Sequence, residues 1–220
     1  MHAPYLVPLQ SSGARALCGG KASGLATLLH HGFRVPPGAY MTTRAYFDTL
    51  EAATLTPAEQ WARVKHASES DHDRVLNDYR TRILSLSIPH DILRPLESML
   101  DTIGQAFGHA REVLWAVRSS ATHEDGAERT FAGLYRTILG VPRAAMPDAV
   151  KECWGSLWTS AVWDYYERGE PHLNAPAMSV IVQPLLSPGA AGVAYSHHPV
   201  TGAPNEVVIN AVLGLAEPLV

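Results

Sequence analysis

Residues 114–141 read LWAVRSSATHEDGAERTFAGLYRTILGV. An apolar run at 113–117 stops abruptly at Arg118, Ser119 and Ser120; a polar loop covers 122–129, and a second β-like run follows at 131–141. Strand, polar loop, strand is a pattern that presents a cation and several hydroxyls at one edge of a sheet. An arginine directly after a buried strand suits a planar, multiply charged anion, because its fork donates two parallel hydrogen bonds. On spacing alone the same arginine reads equally well as a surface residue at a strand end.

Upstream, residues 20–31 place Ala22, Leu25, Leu28 and Leu29 on one helical face, closed by Gly32. Val35-Pro36-Pro37-Gly38 then requires an extended turn, since proline excludes the helical region for its predecessor. From about 41 to 107 the pattern is helical with polar faces, with Pro57 near one helix start and Pro89 between two segments. The charge-rich stretch 68–74 reads as a solvated bend. Downstream, 145–168 reads as one helix. Its stripe of Val150, Cys153, Leu157 and Ala161 adjoins a second of Trp154, Trp158, Val162 and Tyr165, a broad apolar face for packing on a sheet. The tryptophans read as core rather than as a base-stacking platform. Three further β-like runs lie at 177–183, 190–197 and 206–212. The last of them wants a neighbouring strand that the chain does not supply, which would leave an edge prone to association. Helices first, then a strand-rich part from about 112, make an α+β fold.

Composition narrows the class. A 46% hydrophobic fraction over 220 residues is enough for a real core. The net charge of −4, with no basic run or stripe, gives no support for a nucleic-acid partner. The longest apolar stretch, near 177–186, is too short and interrupted for a bilayer, which needs about 20 residues. Cys18 and Cys153, without a signal peptide, point to a reducing cytoplasm rather than a disulfide framework. No HExxH, CxxC or GxSxG occurs, so zinc and serine hydrolysis have no support.

Further segments bear on the chemistry. Gly19-Gly20-Lys21 opens the first helix, setting a lysine beside free backbone N–H groups and the positive end of a helix dipole. It is not a P-loop: Arg15 stands five residues before Gly20, and Ala22 follows the lysine. A plain helix start is the alternative. In FAGLYRTIL, strand alternation puts Gly133 and Thr137 on one side, about 13 Å apart, comparable to the length of a nucleotide. A strand glycine marks close approach of a ligand or, equally, a bulge. Gln183 ends an apolar strand with an amide suited to the edge of an adenine, and Leu185 offers backbone groups beside it. Glu124 and Asp125 read as orienting Arg118 or Arg129, with a metal role as the alternative. His197 and His198 read as turn residues before Pro199.

Three segments in order, GGKASGLATLLHHGFRVPPGAYMTTRAY at 19–46, AVRSSATHEDGAERTFAGLYRTILGV at 116–141 and VIVQPLLSPGAAGVAYSHHPVTG at 180–202, resemble the phosphoenolpyruvate synthase, pyruvate phosphate dikinase and rifampicin phosphotransferase family. The resemblance implies an ATP-grasp-type nucleotide-binding domain: a first lobe over 1–182, a hinge at 183–186 with adenine held against it, and the start of a second lobe over 187–220. It implies that Lys21 and Arg118 contact ATP phosphates and act in catalysis, and that Gly133, Thr137, Gln183 and Leu185 complete the nucleotide site. It further implies Mg²⁺, with ligands beyond residue 220, and as partners a phosphohistidine on a separate swivelling domain and an acceptor domain. The second lobe reads as truncated, so the chain as given is expected to show no phosphotransferase turnover and at best weak ATP binding. A non-catalytic or regulatory nucleotide-binding module of the same fold is the competing class. Ala216 stands where relatives usually carry glycine.

Overall fold

The computed structural model describes residues 3–11, 13–107, 113–122, 134–169 and 176–216. Within them the chain divides into two compact units, Met1–Leu185 and Leu186–Val220. The larger is built on one antiparallel sheet of β1 (Leu6–Pro8), β2 (Ala39–Met41), β3 (Trp115–Ala121), β4 (Thr137–Val141) and β5 (Met178–Pro184), in the order β1-β2-β5-β3-β4. Every residue of β5 is buried, because both faces of the sheet are covered.

Seven helices accompany it among the described residues: α1 (Arg15–His30), α2 (Thr43–Ala52), α3 (Pro57–His66), α4 (His72–Ser85), α5 (His90–Ala106), α6 (Met146–Gly155) and α7 (Ser160–Gly169). On one face Trp115, Val117 and Ala121 of β3 and Met178, Val180 and Val182 of β5 join residues of α2–α7 in the main core. On the other face α1 packs Cys18, Ala22, Leu25 and Leu29 against Tyr40 and Ile181. Leu28, expected on that apolar stripe, faces solvent instead. Trp154 and Trp158 are fully buried, and Trp158 donates its indole N–H to the Tyr46 hydroxyl at 3.1 Å, so the tryptophans are core. Truncating such a residue typically costs about 3–5 kcal/mol.

Four expectations need correcting. The strand-rich part is not confined to the region after 112, since β1 and β2 extend the sheet from the N-terminal side. Among its described residues the run 131–141 is a strand only from Thr137. Of its earlier residues, 131–133 lie outside the described set, and Leu134 and Tyr135 form a turn. The backbone N–H of Arg136 goes to the Ser156 hydroxyl (3.4 Å), and Tyr135 is buried with its hydroxyl 3.5 Å from that of Tyr166. The helix expected over 145–168 is two, broken after Gly155, where Ser156 donates its hydroxyl to the Cys153 carbonyl at 2.6 Å. Finally, the last β-like run has a partner. In the smaller unit β6 (Ala190–Tyr195) and β7 (Val208–Leu213) pair antiparallel from Ala190↔Leu213 to Tyr195↔Val208.

The stretch 68–74 is a short exposed turn into α4, held by Ser68 and Arg74 on the Asp71 carboxylate (2.7 and 2.8 Å). His198 closes the turn before β7: its Nδ1 accepts the N–H groups of Val200 and Thr201, each at 3.2 Å. No helix among the described residues is long and apolar enough to cross a membrane.

Candidate functional site

Helix α1 is interrupted. Gly19, at φ 71° and ψ 177°, separates one N-terminal turn from the regular helix that starts at Gly20. This backbone region is essentially closed to residues with a Cβ. A Cβ at Gly19 would also lie 2.1 Å from the Ser120 carbonyl oxygen, so the kink rests directly on β3. The Ser120 hydroxyl closes the joint, donating to the Cys18 carbonyl at 2.7 Å and accepting the Ala22 N–H at 3.0 Å. Lys21, half-buried, lies between those two anchor points at the positive end of the regular helix. The preceding turn is fixed separately, by the Thr43 hydroxyl on the Ala16 carbonyl at 2.8 Å.

Arg118 and Ser120 are two residues apart on β3 and so share a face, the one on which α1 packs. Arg118 is directly opposite Thr137 on β4. Side chains of such a pair project to the same face, with Cα atoms about 4.5–5.5 Å apart. The register that achieves this contains a bulge: Trp115 pairs with Val141 but Val117 with Ile138, with Gly140 at φ 71° in the slipped segment. Thr137 is exposed and Arg118 half-buried.

Gln183 is also on this face, opposite Ala116. It is not a surface residue at a strand end. Its side chain is buried, and its amide N–H₂ donates to the Pro36 carbonyl at 2.8 Å, tying the loop before β2 to the sheet. The Leu185 N–H is engaged too, with the Leu114 carbonyl at 2.8 Å, which leaves its carbonyl and side chain as the groups able to meet a ligand. From the Gln183 row to the Ser120 row is four residues of β3, about 13 Å. Gly133, Glu124, Asp125 and Arg129 lie outside the described residues. Thus Arg118 and Thr137 face each other near the docked start of the helix that carries Lys21, and Gln183 lies on the same face further along, with Leu185 just past the end of β5.

Charge at this place is positive but not isolated. Cys153 lies beneath β3 and β4, its sulfur 3.9 Å from the Val117 carbonyl and 3.8 Å from that of Arg136. Burial, then the Glu152 carboxylate, pushes this thiol up to about 12, while the charges of Lys21 and Arg136 pull the other way. Lys21 is therefore within electrostatic reach of the β3–β4 edge. There Arg136 forms a largely exposed ion pair with Glu152 at 3.6 Å. Among the described residues no group of three or more His, Cys, Asp or Glu side chains could hold a metal ion. Ser120 is the member of the candidate site that motif reading did not assign. Ser120's two-residue spacing from Arg118 was the available signal.

Comparison with known proteins gives a consistent picture. The family model described as pyruvate phosphate dikinase, AMP/ATP-binding domain, matches residues 15–220. The chain is 32% identical over 209 residues to a phosphoenolpyruvate synthase from Aeropyrum pernix, covering 93% of this chain and 25% of that protein. It is 31% identical over 209 residues to a rifampicin phosphotransferase from Streptomyces sviceus (93% and 23%). It is 32% identical over 203 residues to the prodigiosin synthesizing transferase PigC from Serratia marcescens (92% and 20%). The chain thus spans about a quarter of the length of the curated relatives it matches.

Proposed function

Because this chain belongs to the pyruvate phosphate dikinase AMP/ATP-binding domain family, we propose that it binds the triphosphate of ATP between Lys21 and Arg118 as the ATP-binding portion of a dikinase-type phosphotransferase. The observation that carries this reading is the docking of the Gly19 kink on Ser120, which holds the helix start bearing Lys21 beside the strand bearing Arg118. A lysine at a helix N-terminus and an arginine fork complement a triphosphate of roughly four negative charges. Thr137 supplies a hydroxyl beside Arg118, and Gly133 accompanies it on the resemblance alone. Gln183 and Leu185 meet the adenine end, and the four-residue span of β3 between the two ends fits a nucleotide's length.

In this reading the domain is ATP-grasp-type, with a first lobe over 1–182, a hinge at 183–186 and a second lobe from 187. ATP is cleaved to AMP, and one phosphoryl group passes through a histidine on a swivelling domain to a small-molecule acceptor such as pyruvate or an antibiotic-like hydroxyl. The relatives' names differ in what they act on while matching this chain over the same segment, which supports assigning ATP here and the acceptor elsewhere. Mg²⁺ would neutralise part of the phosphate charge. The described residues offer no ligand set for it, so no step is assigned to it. Lys21→Ala and Arg118→Ala in the complete protein test the reading. Each removes a contact strongest in the transition state, worth about 3–4 kcal/mol or on the order of 10²–10³ in rate. Near-normal AMP formation by either variant, with an unchanged circular dichroism spectrum, would sink the phosphate assignment.

A further inference from the structure

We propose that Ser120 is a positioning residue for Lys21, a helix cap supplied to α1 by a strand 98 residues further along the chain; the proposal rests on reading Lys21 and Arg118 as phosphate-contacting groups. An ordinary N-cap residue accepts an N–H of the helix's first turn with its own side-chain oxygen. At the start of the regular part of α1 that place is taken by Gly19, which has no side chain and tolerates none, since a Cβ there would collide with Ser120. The strand takes over the task. The hydroxyl of Ser120 accepts the N–H of Ala22, the third residue of the regular helix, and gives its one proton to the carbonyl of Cys18, the residue before the kink.

Both bonds are buried, and Ser120 itself is fully inaccessible, so water does not compete for them. The turn carrying Gly20 and Lys21 is thereby clamped at both ends to one atom of β3. That atom belongs to the residue two positions from Arg118 on the same face, about 7 Å along the strand. Without the hydroxyl, a buried N–H and a buried carbonyl lose their partner and the turn is no longer held in register with Arg118. The phosphate end of the site is disturbed and the adenine end, at Gln183, is not.

Calorimetric titration of the complete protein with MgATP and, separately, with adenosine distinguishes these ends. Ser120→Ala is expected to weaken MgATP about tenfold, the scale of one such contact, to leave adenosine binding unchanged, and to be rescued by Ser120→Thr. Unchanged MgATP affinity in the alanine variant overturns the proposal, as does an equal loss for both ligands. Should Ser120→Ala not fold, Ser120→Thr and Ser120→Cys carry the comparison. Threonine keeps the oxygen and holds affinity; cysteine, a weak acceptor, lowers it for MgATP alone, and equal affinities overturn the proposal. An unaltered protein that binds no MgATP defeats the phosphate reading itself and this proposal with it, a result seen before any substitution is made.

Discussion

Gly19→Ala is expected to loosen the joint between α1 and β3 for two separate reasons. The residue sits at φ 71° and ψ 177°, a conformation that costs a non-glycine residue roughly 1–3 kcal/mol. The new methyl group would also meet the Ser120 carbonyl oxygen at 2.1 Å, its carbon at 2.5 Å and its hydroxyl at 2.6 Å. Those are atoms of an inner strand and cannot swing aside, so the helix must lift, at a typical overpacking cost of about 1–3 kcal/mol. Together the penalties come to roughly 2–6 kcal/mol, and at about 2–4 °C per kcal/mol in a domain of this size that lowers Tm by on the order of 10 °C. Gly24→Ala in the same helix is the control. A Cβ there meets nothing within 4 Å, and alanine is favoured over glycine in a helix interior by about 0.5–1 kcal/mol, so this variant should melt slightly higher. Thermal denaturation followed by circular dichroism checks the pair, with MgATP titration alongside. If Gly19→Ala melts within about 2 °C of the parent, or Gly24→Ala loses as much, the kink is not the constrained joint described.

Gln183→Leu removes the amide that donates to the Pro36 carbonyl and should cost about 1–3 kcal/mol of stability in urea titration. If the amide also reads adenine, the same variant blunts the preference for ATP over GTP; an unchanged preference would make Gln183 a loop tie alone. Stability should also fall in alkali. Burial pushes the Cys153 thiol up to about 12 and raises the phenols of Tyr46 and Tyr79. For each the fold favours the neutral form, so its contribution is fully present below the unfolded value, about 8.5 for a thiol and about 10 for a phenol, and is lost as pH rises through the folded one. The urea midpoint is therefore expected to hold between about pH 7 and 8 and to decline from about pH 9 upward. A midpoint flat to about pH 11 would contradict the assigned burial.

Much of the fold is legible because its local patterns agree with what they pack against. β5 announces itself as an apolar run interrupted only by Ser179 ahead of Gln183, and both its faces are indeed covered. β1 and β2 give no such signal. Each is three residues long, and β1 ends on a proline; their strand character comes from pairing outward from β5, a tertiary decision no local window carries. The break between α6 and α7 is hidden for the opposite reason. Leu157 and Trp158, within the break, are as buried as the helices on either side, so the apolar stripes run on through a change of direction that periodicity does not register.

The site is legible residue by residue and not as an arrangement. Arg118 and Thr137 can be picked out individually, but their facing each other depends on the slip at Gly140. Carried on from Trp115↔Val141 without the bulge, the ladder would set Arg118 against Ile138 and Thr137 against Ser119. Ser119 alternates with Arg118 and points with Val117 and Ala121 toward the main core, so Thr137 would be turned away from Arg118 altogether. With the slip, Ile138 packs against that core and Thr137 stands opposite Arg118. A glycine in a strand is visible in sequence; that it shifts the register by one residue, and on which side of Thr137, is not. Ser120 is hidden in the same way. Its partners lie 102 and 98 residues away on α1, so the hydroxyl that clamps Lys21 looks in sequence like one polar residue among several.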